Sequence, residues 1–397
     1  MGERVAIIGL GQTPGKKARE DVGENELVNE AVRAALEDAQ LTIKDIDVVI
    51  VGNMEFFEGT LFTDQWLVEG LGSFGKSGMK VNAAGDTGAS VFTNGVSHAA
   101  SGLFRTVLAV GFEKQDEGAY GGIGMRSEDA FFDIAGGSGR AIGAMWAIAD
   151  LSLRRGSVTE ELIAKLRVKE AECGCRNPYS QLKLKITEQD VMNSEPVMLP
   201  VRFLHICPTS VASSAVILAP EKEAKRLCPN PVWVKDYVCY HSGLQPRMGE
   251  PWLAASYAFP TGPQFRWGVQ EATKILYKRN GITNPREQLD YLETYAPSTW
   301  HEADHYEVLQ LCAPGEAWKL IESEATWPHG DIPADMSGGV ISTNAIGSTG
   351  MQRIIESAIQ IRGDGGERQA HRDINLAMAF AMGADNFATP VLLSKYL

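Results

Sequence analysis

The chain has no long apolar run, few cysteines and no excess of positive charge. None of its hydrophobic stretches approaches the roughly 18 residues that a membrane-spanning helix takes, so no membrane span is expected. Six cysteines in 397 residues, at positions 173, 175, 207, 228, 239 and 312, make no disulfide framework, and reduced thiols in a cytoplasmic protein are expected. Cys173-Gly-Cys175 has one residue between its thiols and no second pair nearby, so no metal site is expected in this chain. Asp and Glu outnumber Lys and Arg by 50 to 37, a net charge of −13, which argues against nucleic acid or an anionic membrane as a partner. A secretory leader is not expected either, because Met1-Gly-Glu-Arg-Val-Ala-Ile-Ile-Gly already reads as a strand. What remains is an ordinary globular composition, 44% hydrophobic and 22% charged. The length suits two domains or one large duplicated α/β unit.

The most informative stretch is Met79-Lys-Val-Asn-Ala-Ala-Gly85-Asp-Thr-Gly88-Ala-Ser90. It reads as a strand turning sharply into a helix. Such an elbow presents free backbone N–H groups, with the positive end of the helix dipole behind them. Enzymes mount nucleophiles on elbows of this kind, yet the tip here is Gly85, which has no side chain.

Around that elbow, strands and helices alternate. Val5 to Gly11 is a buried strand. Its Gly9-x-Gly11 pair is not a dinucleotide fingerprint, because Gln12-Thr-Pro14-Gly follows where a helix would begin. Asn25 to Leu41 repeats apolar residues every 3.6 positions and predicts a helix packed on a sheet. Ile46 to Gly52 and Arg105 to Gly111 read as strands, and Leu61 to Leu71 as a helix. From 117 to 200 the pattern changes to a glycine-rich stretch followed by helices at Met145 to Ser157 and Glu160 to Cys173, which predicts an inserted loop domain. Val211 to Ala219 and Pro231 to Tyr240 return to strand. Gly243 to Arg266 holds four prolines and three glycines and predicts a long irregular loop. Then come a helix at Val269 to Asn280, a strand at Leu289 to Tyr295, and a helix at Trp300 to Leu311. A second small-residue turn around Asn344 feeds a helix at Met351 to Arg362, and strands at Ile374 to Gly383 and Thr389 to Tyr396 end the chain. Each half sets an elbow before a helix, which suggests an internal duplication of topology. The domains expected are 1–116 (completed by 201–225), the insert 117–200, and 226–397.

Between Asp150 and Lys185 basic residues outnumber acidic ones eight to five. Arg154, Arg155, Arg167 and Lys169 are therefore candidates for phosphate contacts, against the plainer reading of a solvated helix face.

Several segments together resemble the thiolase superfamily, in the sterol-carrier-protein-x and acetyl-CoA acetyltransferase-like branch. They are Gly111-Phe-Glu-Lys114, Asn177-Pro-Tyr-Ser-Gln181, Cys207-Pro-Thr-Ser210, Ser337-Gly-Gly-Val-Ile-Ser342, Gly347-Ser-Thr-Gly350 and Gln360-Ile-Arg-Gly-Asp-Gly-Gly-Glu-Arg-Gln369. The resemblance spans nearly the whole chain. It implies a five-layered αβαβα fold from two similar halves, a homodimer, and coenzyme A thioester chemistry with CoA as substrate. Within the superfamily the overall likeness is to thiolase-type subunits of benzoylsuccinyl-CoA thiolases, from anaerobic toluene breakdown, which implies a small partner carrying a zinc ribbon and an OB-fold.

Against the family pattern, four positions depart together. The nucleophilic cysteine falls on Gly85, the catalytic histidine on Asn344, a second cysteine on Ala381, and a His-Asp-Cys-Phe motif on Tyr295-Ala-Pro-Ser298. Transfer through a cysteine thioester cannot run by the usual route. What remains are backbone N–H groups at Gly85 and Gly383 for an oxyanion, and Asn344, Tyr295, His301 and Cys207 as side-chain candidates. Each has a plainer reading: Tyr295 a packed strand residue, His301 a first-turn surface histidine, Cys207 a structural thiol. Asp86 reads as a charge partner for the helix start. The expected function is CoA-dependent thiolytic cleavage of a β-ketoacyl-CoA without an acyl-enzyme. The alternative is a non-catalytic thiolase-like protein that binds acyl-CoA or a partner subunit.

Overall fold

The computed structural model describes residues 2–59, 61–118, 140–241, 264–383 and 387–397. Most of the long Gly243–Arg266 stretch, with Trp252, Tyr257 and Phe259, lies outside these residues, as does most of the glycine-rich part of the insert.

The strands are β1 (Val5–Gln12), β2 (Val48–Gly52), β3 (Ser77–Val81), β4 (Val107–Lys114), β5 (Pro196–Met198), β6 (Val201–Arg202), β7 (Val211–Pro220), β8 (Val232–Tyr237), β9 (Tyr240–His241), β10 (Tyr291–Thr294), β11 (Leu376–Gly383) and β12 (Phe387–Ser394). Helices that matter below are α1 (Glu24–Asp38), α2 (Thr87–Ala100), α3 (Arg140–Arg155), α4 (Glu160–Arg176), α5 (Gln264–Asn280), α6 (Thr299–Val308) and α7 (Ile346–Arg362).

Ten strands form one mixed sheet in the order β10-β11-β12-β8-β1-β7-β4-β2-β3, with β9 added beside β12. The order contains the same unit twice. In the first half β2 and β4 are parallel, β4 and β7 antiparallel, β7 and β1 antiparallel. In the second half β10 and β11 are parallel, β11 and β12 antiparallel, β12 and β8 antiparallel. The halves meet at β1 and β8, through Val5 with Val234, Ala6 with Trp233 and Ile7 with Val232. The duplication anticipated from the two elbows is therefore real at the level of topology, with α2 entering β4 in one half and α7 entering β11 in the other.

Three hydrophobic clusters separate the layers. One packs α1 on the first half, through Leu27, Val28, Ala31, Val32 and Ala35 against Ile8, Val49 and Ile217. The central one holds α2 and α7 between the halves, with Phe92, Met351, Ile354 and Ile355 against Ile50, Val216, Ala379 and Val391. The third sets α3, α4, α5 and α6 over the outer face of the second half, around Trp300, Tyr306, Met378 and Leu392. This is the αβαβα arrangement. The helices of the insert share the third core and are not a detached lobe.

Helix α7 begins at Ile346, one turn earlier than its periodicity suggests. Ile-Gly-Ser-Thr-Gly has weak helix propensity, but the turn is pinned by tertiary contacts. A Cβ on Gly88 of α2 would lie 2.6 Å from Met351 N, and one on Gly350 of α7 would lie 2.9 Å from Ala89 N. The two elbow helices thus touch backbone to backbone, an approach that any side chain would block.

Candidate active site

The first elbow is locally self-stapled. Thr87 Oγ1 accepts the Ala83 N–H at 2.9 Å and donates to the Ala84 carbonyl at 2.7 Å, closing a 3₁₀ turn over Ala84–Asp86. Ala84 adopts φ 51°, a left-handed conformation that a non-glycine residue holds only when its surroundings impose it. The turn presents Gly85 to the end of β11. A Cβ on Gly85 would meet the Met382 carbonyl at 2.8 Å, the Tyr295 hydroxyl at 3.2 Å and Gly383 Cα at 3.3 Å. A Cβ on Gly383 would meet Asp86 N at 2.5 Å. Gly85 and Gly383 are therefore neighbours that leave no room for side chains, and a phenol stands where one would project.

Tyr295 follows β10, anchored by its N–H to the Phe380 carbonyl at 2.9 Å. Its hydroxyl donates to Asn344 Oδ1 at 3.3 Å, which also accepts from Thr349 Oγ1 at 3.1 Å. Asn344 Nδ2 points to Cys207 Sγ at 3.2 Å, and its backbone N–H donates to Ser210 Oγ at 2.9 Å. Gly85, Gly383, Tyr295, Asn344 and Cys207, drawn from both halves, thus form one group, in which Gly383, Tyr295 and Asn344 are buried and Gly85 and Cys207 are partly exposed. The Asn344 amide is fixed with its oxygen toward the phenol, a plain assignment because Tyr295 and Thr349 both donate.

The environment sets the chemistry each member can do. Burial pushes the Cys207 thiol up to about 11, only partly offset by the Asn344 amide, so at neutral pH it is a thiol and not a nucleophile. His301 is buried in α6 and not on the surface. Its Nδ1 lies 2.7 Å from Ser298 Oγ, and burial pushes it down to about 3, a neutral imidazole across the physiological range. Asp86 makes no capping bond from its side chain. Its Oδ2 instead accepts from Ser90 at 2.7 Å and Thr389 at 2.9 Å, tying α2 to β12, and burial pushes the carboxyl up to about 7.

The expected phosphate surface is corrected for two of its four residues. Arg167 and Lys169 are each 1% exposed. Arg167 Nε donates to the Leu204 carbonyl at 2.7 Å, and Lys169 Nζ pairs with Glu302 at 2.6 Å. Their charges serve internal partners more than 35 residues away in sequence, contacts that local composition could not reveal. Arg154 is exposed beside Asp150, and Arg155 is half-buried on the same helix. Among the described residues no three His, Cys, Asp or Glu side chains converge as metal ligands, and no helix is long and apolar enough to cross a membrane.

The sequence reading gave no role to two carboxyls that bear on the second elbow, Glu58 and Glu113, whose contacts are described below. Glu113 stood in the segment Gly111-Phe-Glu-Lys114, and Glu58 had no sign beyond an acidic residue before a glycine.

Residues 265–392 match the Thiolase C-terminal domain-like family. Over 380 residues the chain is 28% identical to an acetyl-CoA acetyltransferase of Methanothermobacter thermautotrophicus, covering 92% of each chain. It is 27% identical over 390 residues to sterol carrier protein 2 of Oryctolagus cuniculus, covering 92% of this chain and 67% of that one. In structure it superposes on the Ltp2-ChsH2(DUF35) aldolase with a TM-score of 0.79 at 20% identity, covering 98% of this chain and 97% of the other. Human mitochondrial 3-ketoacyl-CoA thiolase in complex with CoA gives 0.69 at 15% identity, covering 100% and 98%. The chain therefore has the thiolase fold and is similar in sequence, over nearly its whole length, to an acetyl-CoA acetyltransferase and to sterol carrier protein 2.

Proposed function

We propose that this protein cleaves the Cα–Cβ bond of an acyl-CoA oxygenated at its β carbon, with CoA as acceptor and no enzyme-bound thioester. The observation that carries this reading is the closed elbow: Gly85 has no side chain, and the space a nucleophile would take is filled by the Tyr295 hydroxyl. Kinship with acetyl-CoA acetyltransferases supports CoA-dependent thiolytic chemistry in general. In the thiolytic form, the CoA thiolate adds to the β-ketone. The N–H groups of Gly85 and Gly383 bind the oxyanion. The Cα–Cβ bond then breaks, its electron pair passes into the thioester enolate, and a proton returns to Cα. Tyr295, held by Asn344, is the donor of that proton. His301, pushed down to about 3, is too weak a base for the CoA thiol and serves at most as a neutral hydrogen-bonding group beside Ser298, and Cys207 orients Asn344. Holding both CoA species together replaces covalent catalysis with proximity, which can contribute roughly 7–11 kcal/mol. The specific substrate proposed is benzoylsuccinyl-CoA, giving benzoyl-CoA and succinyl-CoA. Arg154 and Arg155 remain the candidate phosphate contacts. A cytoplasmic homodimer with a small DUF35-type partner, zinc ribbon and OB-fold, is the assembly proposed.

A second reading is favoured by the phenol itself. A tyrosine suits removal of a β-hydroxyl proton, after which the same bond breaks to a carbonyl product and an enolate that is protonated at Cα. No second CoA is needed. A structural relative described as an aldolase supports this form.

The test supplies β-ketoacyl-CoA with CoA, and separately β-hydroxyacyl-CoA alone, to the protein with whatever co-purifies. Thioesters, free carbonyls and intact protein mass are followed by mass spectrometry. Two acyl-CoA products support thiolysis, and a free aldehyde or ketone supports the aldol form. An acylated Cys207 would overturn both. CoA binding without any turnover would leave the non-catalytic alternative.

A further inference from the structure

The first turn of α7 is held by three different parts of the fold. Gly347 N–H donates to Glu113 Oε2 at 2.7 Å, the Ser348 hydroxyl lies 2.6 Å from that of Ser214, and Thr349 Oγ1 donates to Asn344. Glu113, on β4, is fully buried, and its Oε1 accepts the Met54 N–H at 3.2 Å. The Glu58 carboxyl stands beside it: the neighbouring residues Asn53 and Met54 donate to the two carboxyls, Asn53 to Glu58 and Met54 to Glu113, and each carboxyl alters the other's proton affinity. Glu58 in turn accepts the Lys114 N–H at 2.7 Å and the Asn53 amide at 3.1 Å. The Lys114 ammonium is drawn to Asp116 and Glu117.

Two carboxylates are both acceptors and cannot hydrogen-bond each other, so a buried pair in contact must hold a proton. The pair then carries one negative charge, placed at the positive end of α7.

We propose that Glu58 and Glu113 share one proton and act as a positioning pair, clamping the first turn of α7 so that Thr349 and Asn344 stay in register with Tyr295. Neither residue belongs to the group around Gly85. They act on it through three consecutive residues of one helical turn. The groups facing the pair are the Asn53 amide and the N–H groups of Lys114, Gly347 and Met54, with Glu24 of α1 beside Glu58, and the Lys114, Asp116 and Glu117 charges paired among themselves beyond it. Burial pushes both carboxyls up, and Glu24, beside Glu58, up to about 7. That upward direction is the one a retained proton on the pair requires.

Glutamine at 113 imitates the protonated partner. Its oxygen accepts from Gly347 and its amide donates to Glu58, so the clamp survives without the shared proton. The activity arm of the test rests on the function proposed above, whereas an infrared arm does not. In infrared difference spectra at neutral pH, the wild type minus E113Q should show a protonated-carboxyl C=O band, and the wild type minus E58Q the same band. Absence of that band from both differences would overturn the shared proton, whatever the protein catalyses. In the activity arm, E113Q should keep kcat and Tm and lose the alkaline limb of the pH–rate profile. E113A should lower kcat about 100-fold at nearly constant KM, the cost of a displacement on the order of 1 Å at the reacting groups. If E113Q loses as much kcat as E113A, or if KM rises in proportion, the positioning role falls. Should E113A not fold, the E113Q pH profile and the infrared bands decide alone.

Discussion

The phenolic oxygen of Tyr295 lies 3.2 Å from the point where a Cβ on Gly85 would stand. The elbow is thus filled, not vacant, and restoring a side chain there competes with two rigid neighbours. Gly85→Cys should lower stability by about 1–3 kcal/mol through overpacking against the Met382 carbonyl. It should gain no acyl adduct on incubation with acyl-CoA. Thermal unfolding and intact-protein mass check both parts.

Tyr295→Phe removes the hydroxyl and leaves the ring. Asn344 Oδ1 keeps its bond from Thr349, so folding should be little affected. Turnover should fall by roughly 10²–10⁴-fold, the usual scale for a lost general acid or base. Steady-state kinetics with matched melting curves make the comparison, and full activity in the variant would remove Tyr295 from the mechanism.

Cys207→Ser should retain activity within a few fold, because a thiol pushed up to about 11 is almost wholly protonated at pH 7. Alkylation of Cys207 in the native protein should be correspondingly slow and should speed up with rising pH. Rapid labelling at neutral pH would contradict the burial described.

The buried titratable groups predict opposing pH effects. His205 and His301 are both pushed down to about 3 by burial. Below pH 6.5 the unfolded chain takes up protons that the folded one refuses, so stability is lost as pH falls. The loss is about 1.4 kcal/mol per pH unit for each histidine. Asp86, pushed up to about 7, has the opposite sign. Between pH 4 and 7 the folded state holds a proton the unfolded chain has released, and stability falls as pH rises through that window. Asp86→Asn should therefore gain on the wild type from pH 4 upward, with the gain level above pH 7. Melting temperatures across pH for the wild type and this variant read both slopes.

Lys169→Ala should cost about 3–5 kcal/mol by leaving Glu302 buried without its cation. Arg154→Ala should leave stability nearly unchanged. If Lys169→Ala instead melts normally and weakens CoA binding, the internal role assigned to Lys169 is wrong.

The strand-to-helix turns were legible because they are local: small residues, then a 3.6-residue apolar period. The duplicated order followed from finding two of them. The partners of Arg167, Lys169 and Glu113 were not legible. Glu302 lies 133 residues from Lys169 and Gly347 lies 234 from Glu113, and no spacing rule reaches that far. The plainer reading of His301 as a surface histidine fails because α6 is packed against α3 and α4, long-range contacts that the mixed polar and apolar sequence around it does not reveal. The start of α7 was placed late for a related reason, since its first turn depends on contacts from β4 and β7.

The backbone contact between α2 and α7, through Gly88 and Gly350, bears on the order in which the molecule assembles. Neither half can complete the packing of its own elbow helix, because each first turn uses the other as a wall. A first half emerging from the ribosome could close its stapled turn, but Gly85 would lack Gly383, Tyr295 and Asn344 until the remaining chain had been made and docked. Formation of the reaction centre is then a late event, coupled to the joining of the halves and not to the folding of either one. Isolated halves, even if compact, would be expected to lack it.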